Sequence, residues 1–372
     1  LACFGPGFEL CCTHTRTPRI ASGRMAFLDE ITHFEPKGGP WGRGYLRGTD
    51  AIASDDWFFD GHFKNDPCMP GTLMFEGCLQ AMAIHMTALG FTLRRDGWRF
   101  EPVADEPYLM RCRGQVLPTS KHLVYEVFVE EVIDGPTPTI YADLLCTIDG
   151  RKAFHCRRMG LRLVPDFPLD EMLQRDPSLL APMAAPGEVA SIDGFDFDYM
   201  SLLACAWGKP SLAFGPMYAV FDGHRKVARL PGPPYHFMTR VAHIDGRIGV
   251  VEADQRVIID YDIPPDAWYF DETPSMPYAV LLEAALQPCG WLASFVGSAT
   301  TTDINLCFRN LDGTSTLHTE LWPKSGTLRT KVHLTSISQT AGMIIQSFEV
   351  ECFVADELVY DMKTVFGFFP EE

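Results

Sequence analysis

The chain is short of positive charge: 31 lysines and arginines stand against 48 aspartates and glutamates, a formal net charge of −17 over 372 residues. That deficit excludes general nucleic-acid binding, which needs a basic face to neutralise phosphates. It gives no support to binding at an anionic membrane either. The twelve cysteines form no C-x-x-C pair, so the spacing that marks a zinc site is missing. A Gly-rich phosphate loop and a nucleophile elbow are also missing, and no cofactor or metal is implied. No apolar run reaches the length needed to span a bilayer, and the start has no signal-peptide pattern. The first residue is Leu, which suggests a piece excised from a larger polypeptide. Cys78 and Cys289 fall on apolar, helix-like segments, which suits reduced core thiols in a cytoplasmic protein.

What the chain does have is an internal repeat. Trp57-Phe58-Phe59-Asp60 recurs 211 residues later as Trp268-Tyr269-Phe270-Asp271. Met69-Pro70 returns as Met276-Pro277, and Glu76-x-x-x-Gln80 as Glu283-x-x-x-Gln287, both 207 residues later. The change of four residues is a deletion, and it falls where His62-Phe63 stands in the first copy. Weaker echoes join Leu117-Pro118 to Trp322-Pro323 and Phe4-Gly5-Pro6 to Phe214-Gly215-Pro216. The chain therefore reads as two related halves, 1–167 and 211–372. A linker, 168–210, is interrupted by Pro168, Pro177, Pro182 and Pro186. Tethering raises the local concentration of the halves, so they should pair with each other.

Each half shows a long helix followed by strands. Leu73–Leu89 is apolar almost all round, broken mainly by Glu76, Gln80, His85 and Thr87, and such a helix must be wrapped on most sides. Its counterpart runs over Ala279–Phe295, where Pro288 should kink it. Alternating or β-branched runs follow, His122–Val132 and Thr327–Ile337, then Ile140–Ile148 with Phe154–Val164 and Ile344–Val354 with Leu358–Phe369. The class is α+β, with an antiparallel sheet curved around one helix in each half.

The chemistry concentrates between Trp57 and Gln80. Met69-Pro70-Gly71 ahead of the apolar run reads as an exposed helix N-terminus, whose free N–H groups can hold developing negative charge. Glu76 and Gln80 share a helix face. A histidine, a carboxylate and a helix N-terminus are the parts needed to take a proton from one carbon and give one to a leaving hydroxyl. His85, His155, His236 and His333 have no partner pattern and read as structural.

Phe58-Phe59, His62-Phe63, Asp66-Pro67, Met69-Pro70-Gly71, Glu76 and Gln80 together resemble the motif of the FabA-like 3-hydroxyacyl-acyl carrier protein dehydratases. Glu76 departs from it, because FabA-type enzymes usually carry Asp there and FabZ-type enzymes Glu. The tandem arrangement resembles the dehydratase region of polyunsaturated fatty acid synthases. The resemblance implies a double hotdog, two hotdog folds paired as a pseudo-dimer, with histidine and acid of one site on opposite halves. Carried over, His62 is the base, Glu283 the acid and the Gly71 N–H the thioester-carbonyl donor. Gln287 orients Glu283, and the Cys68 carbonyl fixes the His62 tautomer. Glu76 and Gln80 are left in a vestigial site with no histidine, where Tyr278 replaces the glycine.

The implied reaction is dehydration of 3-hydroxyacyl-acyl carrier protein thioesters to 2-enoyl thioesters, with double-bond isomerisation as an optional second step. The implied partners are an acyl carrier protein with its phosphopantetheine-linked substrate and other domains of a megasynthase; a homodimer is compatible with this. An acidic carrier needs a local basic patch, for which Arg94-Arg95, Arg111, Arg113, Arg151-Lys152 and Arg157-Arg158 are candidates, although each alone suits a solvated turn or strand. Two other classes remain: a hotdog thioesterase, against which the His-Phe…Met-Pro-Gly signature argues, and a non-catalytic scaffold, against which intact His62, Gly71 and Glu283 argue.

Overall fold

The computed structural model describes residues 5–165, 187–223, 225–271, 273–340 and 342–371. In the first half, β1 (Glu30–Glu35) and β2 (Tyr45–Ala51) precede a long helix, α1 (Gly71–Ala88). Then come β3 (Trp98–Pro102), β4 (Pro107–Cys112), β5 (His122–Ile133), β6 (Thr139–Ile148) and β7 (Arg151–Pro165). A small hairpin, β8 (Ser191–Ile192) with β9 (Phe195–Asp196), and two short helices, α2 (Tyr199–Ala206) and α3 (Pro210–Phe214), lead onward. The second half repeats the plan with β10 (Arg240–Asp245), β11 (Gln255–Asp262), α4 (Tyr278–Phe295), β12 (Leu306–Leu317), β13 (Thr327–Thr340), β14 (Met343–Val354) and β15 (Glu357–Pro370).

Both long helices start directly after a proline, Pro70 or Pro277, held in extended conformation at the N-cap, so the chain turns sharply into each helix. In α1, 14 of 18 residues are buried, and in α4, 17 of 18. Neither helix keeps a polar face for water, and each must be wrapped by sheet. Gly77 lets β5 close on α1, because a Cβ there would lie 2.3 Å from the Tyr125 ring.

One antiparallel sheet does the wrapping, in the order β1-β2-β5-β6-β7-β4-β12-β15-β14-β13-β11-β10, with β3 beside β7. The halves join at β4 and β12, from Asp312 opposite Arg111 to Thr316 opposite Pro107. α1 packs on β2, β5, β6 and β7, α4 on β11, β13 and β14, and the two helices touch. The molecule is a double hotdog sharing a single sheet.

α4 continues as one helix past Pro288, where the proline leaves the Ala284 carbonyl without its helical donor. The segment Tyr278–Thr301 is long and apolar enough to cross a bilayer, contrary to the sequence reading, but 94% of that apolar stretch is buried inside the protein. Its apolarity belongs to the core. The stretch read as linker is described only in part. Residues 166–186, with Pro168, Pro177, Pro182 and Pro186, lie outside the described residues. From residue 187 onward the chain packs on the second half. Ala190 N–H donates to the Val241 carbonyl at 2.8 Å, the Phe197 ring meets Trp291 edge-on at 5.5 Å, and Leu202 of α2 is fully buried.

Candidate active site

The segment ahead of α1 is pinned on both sides of His62. Phe58 and Phe59 are buried anchors, the His62 N–H donates to the Phe58 carbonyl at 3.0 Å, and the Cys68 N–H donates to the His62 carbonyl at 2.7 Å. The second half closes on the same segment. Gly232 N–H donates to the Gly61 carbonyl at 3.1 Å, and a Cβ on Gly61 would lie 2.8 Å from the Gly232 oxygen. The repeated tryptophans meet across the pseudo-two-fold, Trp57 edge-on to Trp268 at 5.4 Å. Arg309 of β12 reaches over to Asp66 at 2.5 Å and donates to Gln115 at 3.0 Å.

His62 is 8% exposed. Its Nδ1–H donates to the Cys68 carbonyl at 2.8 Å, which leaves Nε2 as the basic nitrogen. Burial pushes its pKa down to about 4, resisted by the Cys68 carbonyl and assisted by the Arg309 charge. At neutral pH the imidazole is uncharged, as a base must be.

Glu283, on α4, is buried, and burial pushes its carboxyl up to about 7 against the pull of two hydrogen bonds. Thr72 Oγ1–H donates to Oε2 at 2.9 Å, and Gln287 Nε2–H donates to Oε1 at 3.2 Å. A hydroxyl has one proton to give, so the 2.9 Å contact between Tyr235 OH and Thr72 Oγ1 runs from tyrosine to threonine to carboxylate. Gln287 is fixed in turn by the Tyr235 carbonyl at 2.8 Å and the Phe237 N–H at 2.8 Å.

His62, Cys68, Gly71, Thr72, Glu283 and Gln287 all line one cavity of ≈ 370 Å³ between the halves. Gly71 is the first residue of α1, so its N–H has no partner within the helix. A Cβ at this position would stand 3.3 Å from Cys112 Sγ.

Glu76 and Gln80 line a different cavity, of ≈ 120 Å³, with Tyr278 in its wall and no histidine among its lining residues. Burial raises Glu76 to about 7 also. Gln80 bonds Glu76 at 3.1 Å and Phe27 N–H at 3.0 Å, mirroring Gln287. The mirror fails at one hydroxyl: where α1 has Thr72, α4 has Ala279, so among the described residues Glu76 has Gln80 alone as its side-chain donor.

Thr72, Tyr235 and the Arg309–Asp66 pair are absent from the sequence reading. Thr72 and Glu283 are 211 residues apart, and nothing local ties them together. The one available signal was Thr72 itself, a polar residue in the first turn of a mainly apolar helix, next to Gly71. His85, read as structural, is fully buried against Phe34 at 5.1 Å with neither ring nitrogen bonded.

A model of the FabA-like domain matches residues 20–157 and 230–363. A polyunsaturated fatty acid synthase polypeptide of Thraustochytrium sp. is 24% identical over 95% of this chain, which spans about a third (31%) of that protein's length. Among solved structures, the dehydratase domain from the CurJ module of curacin polyketide synthase has 11% identity and a TM-score of 0.47, covering 92% of this chain and 97% of that one. The Mycobacterium avium tesB protein has 15% identity and a TM-score of 0.45, covering 91% and 96%. With both halves matched, the chain belongs to the FabA-like domain family.

Proposed function

We propose that the protein dehydrates 3-hydroxyacyl thioesters carried on an acyl carrier protein, at one site built across the two halves. The observation that carries this reading is the pairing, in one cavity, of a neutral histidine from the first half with a protonatable glutamate from the second. His62 Nε2 takes a proton from C2. The Gly71 N–H, at the positive end of α1, polarises the thioester carbonyl as enolate character builds. Glu283 gives its proton to the C3 hydroxyl, the C3–O bond breaks, and water leaves the 2-enoyl thioester. The proton on His62 and the vacancy on Glu283 are then restored through water. Thr72 and Gln287 hold the carboxylate, and the Cys68 carbonyl holds the imidazole tautomer.

The megasynthase setting follows the relative named as part of a synthase, and the carrier protein is part of the proposal. Incubation with a 3-hydroxyacyl pantetheine thioester tests the reaction. Enoyl thioester supports dehydration, free acid would assign a thioesterase, and unchanged substrate would assign a scaffold.

A further inference from the structure

The outer face of the sheet beside the cavity carries a cluster of cations on β4 and β7. Arg111 on β4 stands directly opposite His155 on β7, and Arg151, Lys152 and Arg157 lie on the same strand as His155. All four cations are exposed. Among the described residues, none of the four has a carboxylate within ion-pairing distance, unlike Arg158, which pairs with Glu130 and Glu131 at 2.8 and 2.9 Å. Their fields converge. Burial, then Lys152, Arg157 and Arg111, hold His155 below its ordinary pKa, opposed by Asp143. Asp312, opposite Arg111 on β12, Asp143, which acts on His155, and Asp149 in the turn before Arg151 are acids adjoining the patch. Arg113 extends the patch to the cavity. It lines the wall, is exposed, and among the described residues donates to the backbone carbonyls of Cys112 and Leu311.

The second half serves as an internal control. At the same places on β12 and β15 it carries Thr316 opposite Asp361, then Glu357, Leu358 and Lys363. Lys363 is neutralised by Glu349 at 2.8 Å. In a chain of net charge −17, an unpaired basic patch beside the histidine-containing cavity, with no counterpart beside the other, is local and directional.

We infer that Arg111, Arg113, Arg151, Lys152 and Arg157 form the docking surface for an acidic carrier domain that bears the acyl group on a slender flexible arm. The inference rests on the dehydratase reading. His62 and Glu283 are 8% and 5% exposed, so a protein-borne substrate reaches them only through a narrow tether, with the carrier's own surface left outside. Complementary charge at such a rim sets encounter rate and orientation and is screened by salt. Two of the other candidate cations are already engaged: Arg95 is tied to the Phe91 carbonyl at 2.6 Å and stacked on Trp98, and Arg158 is ion-paired.

The test uses the full chain with Arg111→Glu, Lys152→Glu and Arg157→Glu combined, assayed on an acidic carrier-bound 3-hydroxyacyl substrate and on the same acyl group as a free pantetheine thioester. On the carrier substrate, kcat/KM should fall at least about tenfold, with unchanged turnover of the free thioester. The parent's carrier-dependent rate alone should drop as salt rises from roughly 50 to about 500 mM. Lys363→Glu should change neither rate. Equal losses on both substrates would make the patch structural, and no loss on either would overturn the docking surface. Failure of the parent on the free thioester would instead sink the dehydratase reading, which separates the two outcomes.

Discussion

Glu283 and Glu76 form a matched pair for a single experiment. Each is buried, each is bonded to a glutamine four residues on, and burial pushes each from the ordinary glutamate value of 4.5 to about 7. Substitution by Gln keeps the volume and leaves an oxygen for the neighbouring donors. The folded state therefore holds either proton more tightly than the unfolded chain does. The stability this supplies is present below about 4.5 and is lost as pH rises through about 7, where each ionised carboxyl costs up to about 3 kcal/mol. Both Glu283→Gln and Glu76→Gln should raise the melting temperature at pH 8, and the gain should vanish at pH 4. Activity should split. Glu283→Gln removes the proton donor and should slow enoyl formation about 10²–10⁴-fold, equivalent to about 2.7–5.5 kcal/mol of barrier. Glu76→Gln, in a cavity without histidine, should leave the rate near the parent's. The readouts are melting curves at the two pH values and initial rates of enoyl thioester formation. Equal rate losses, or the reverse ranking, would refute an acid drawn from the second half.

The remaining predictions use the same assay. His62→Ala should lose about 10²–10⁴-fold with an unchanged melting curve, and a folded variant at near-parental rate would remove His62 as the base. The parent's kcat/KM should be bell-shaped in pH, rising as His62 loses its proton near 4 and falling as Glu283 loses its own near 7; a flat profile between those values and beyond would count against the pair. Thr72→Val withdraws a donor that stabilises the Glu283 carboxylate, so the alkaline limb should move to higher pH, with Thr72→Ser restoring it. Gly71→Tyr copies what the second half carries at Tyr278 and should yield a folded protein with little activity, measured by melting curve and rate together.

Legibility in the sequence followed distance along the chain. The two core helices were visible because their apolar character is continuous, and their starts lie within two residues of the expected Leu73 and Ala279. β5 to β7 and β13 to β15 were visible as alternating runs. β1, β2, β10 and β11 were not, since polar or charged residues such as Glu30-Ile31-Thr32-His33 sit at the outer margins of the sheet, where one flank meets water. α2 and α3 were hidden in a proline-rich stretch that reads as a linker until Phe197 is seen against Trp291. Within the candidate site, Glu283 and Gln287 share a helix face and could be paired by spacing. The Thr72–Glu283 bond and the Arg309–Asp66 latch could not, because pattern carries no record of contacts made between halves.

The seam between β4 and β12 also says what would follow from cutting it. An isolated first half would expose β4 from Pro107 to Arg111 as an unsatisfied row of backbone groups, and such a row recruits another strand. The nearest mimic of β12 is a second β4, brought in by a closed two-fold. Two such copies would set each His62 against the other's Glu76, with Gly71 and Thr72 present on both sides. The lopsided molecule thus holds within one of its halves the components of an even-handed dimer with a histidine and a glutamate in each of two cavities.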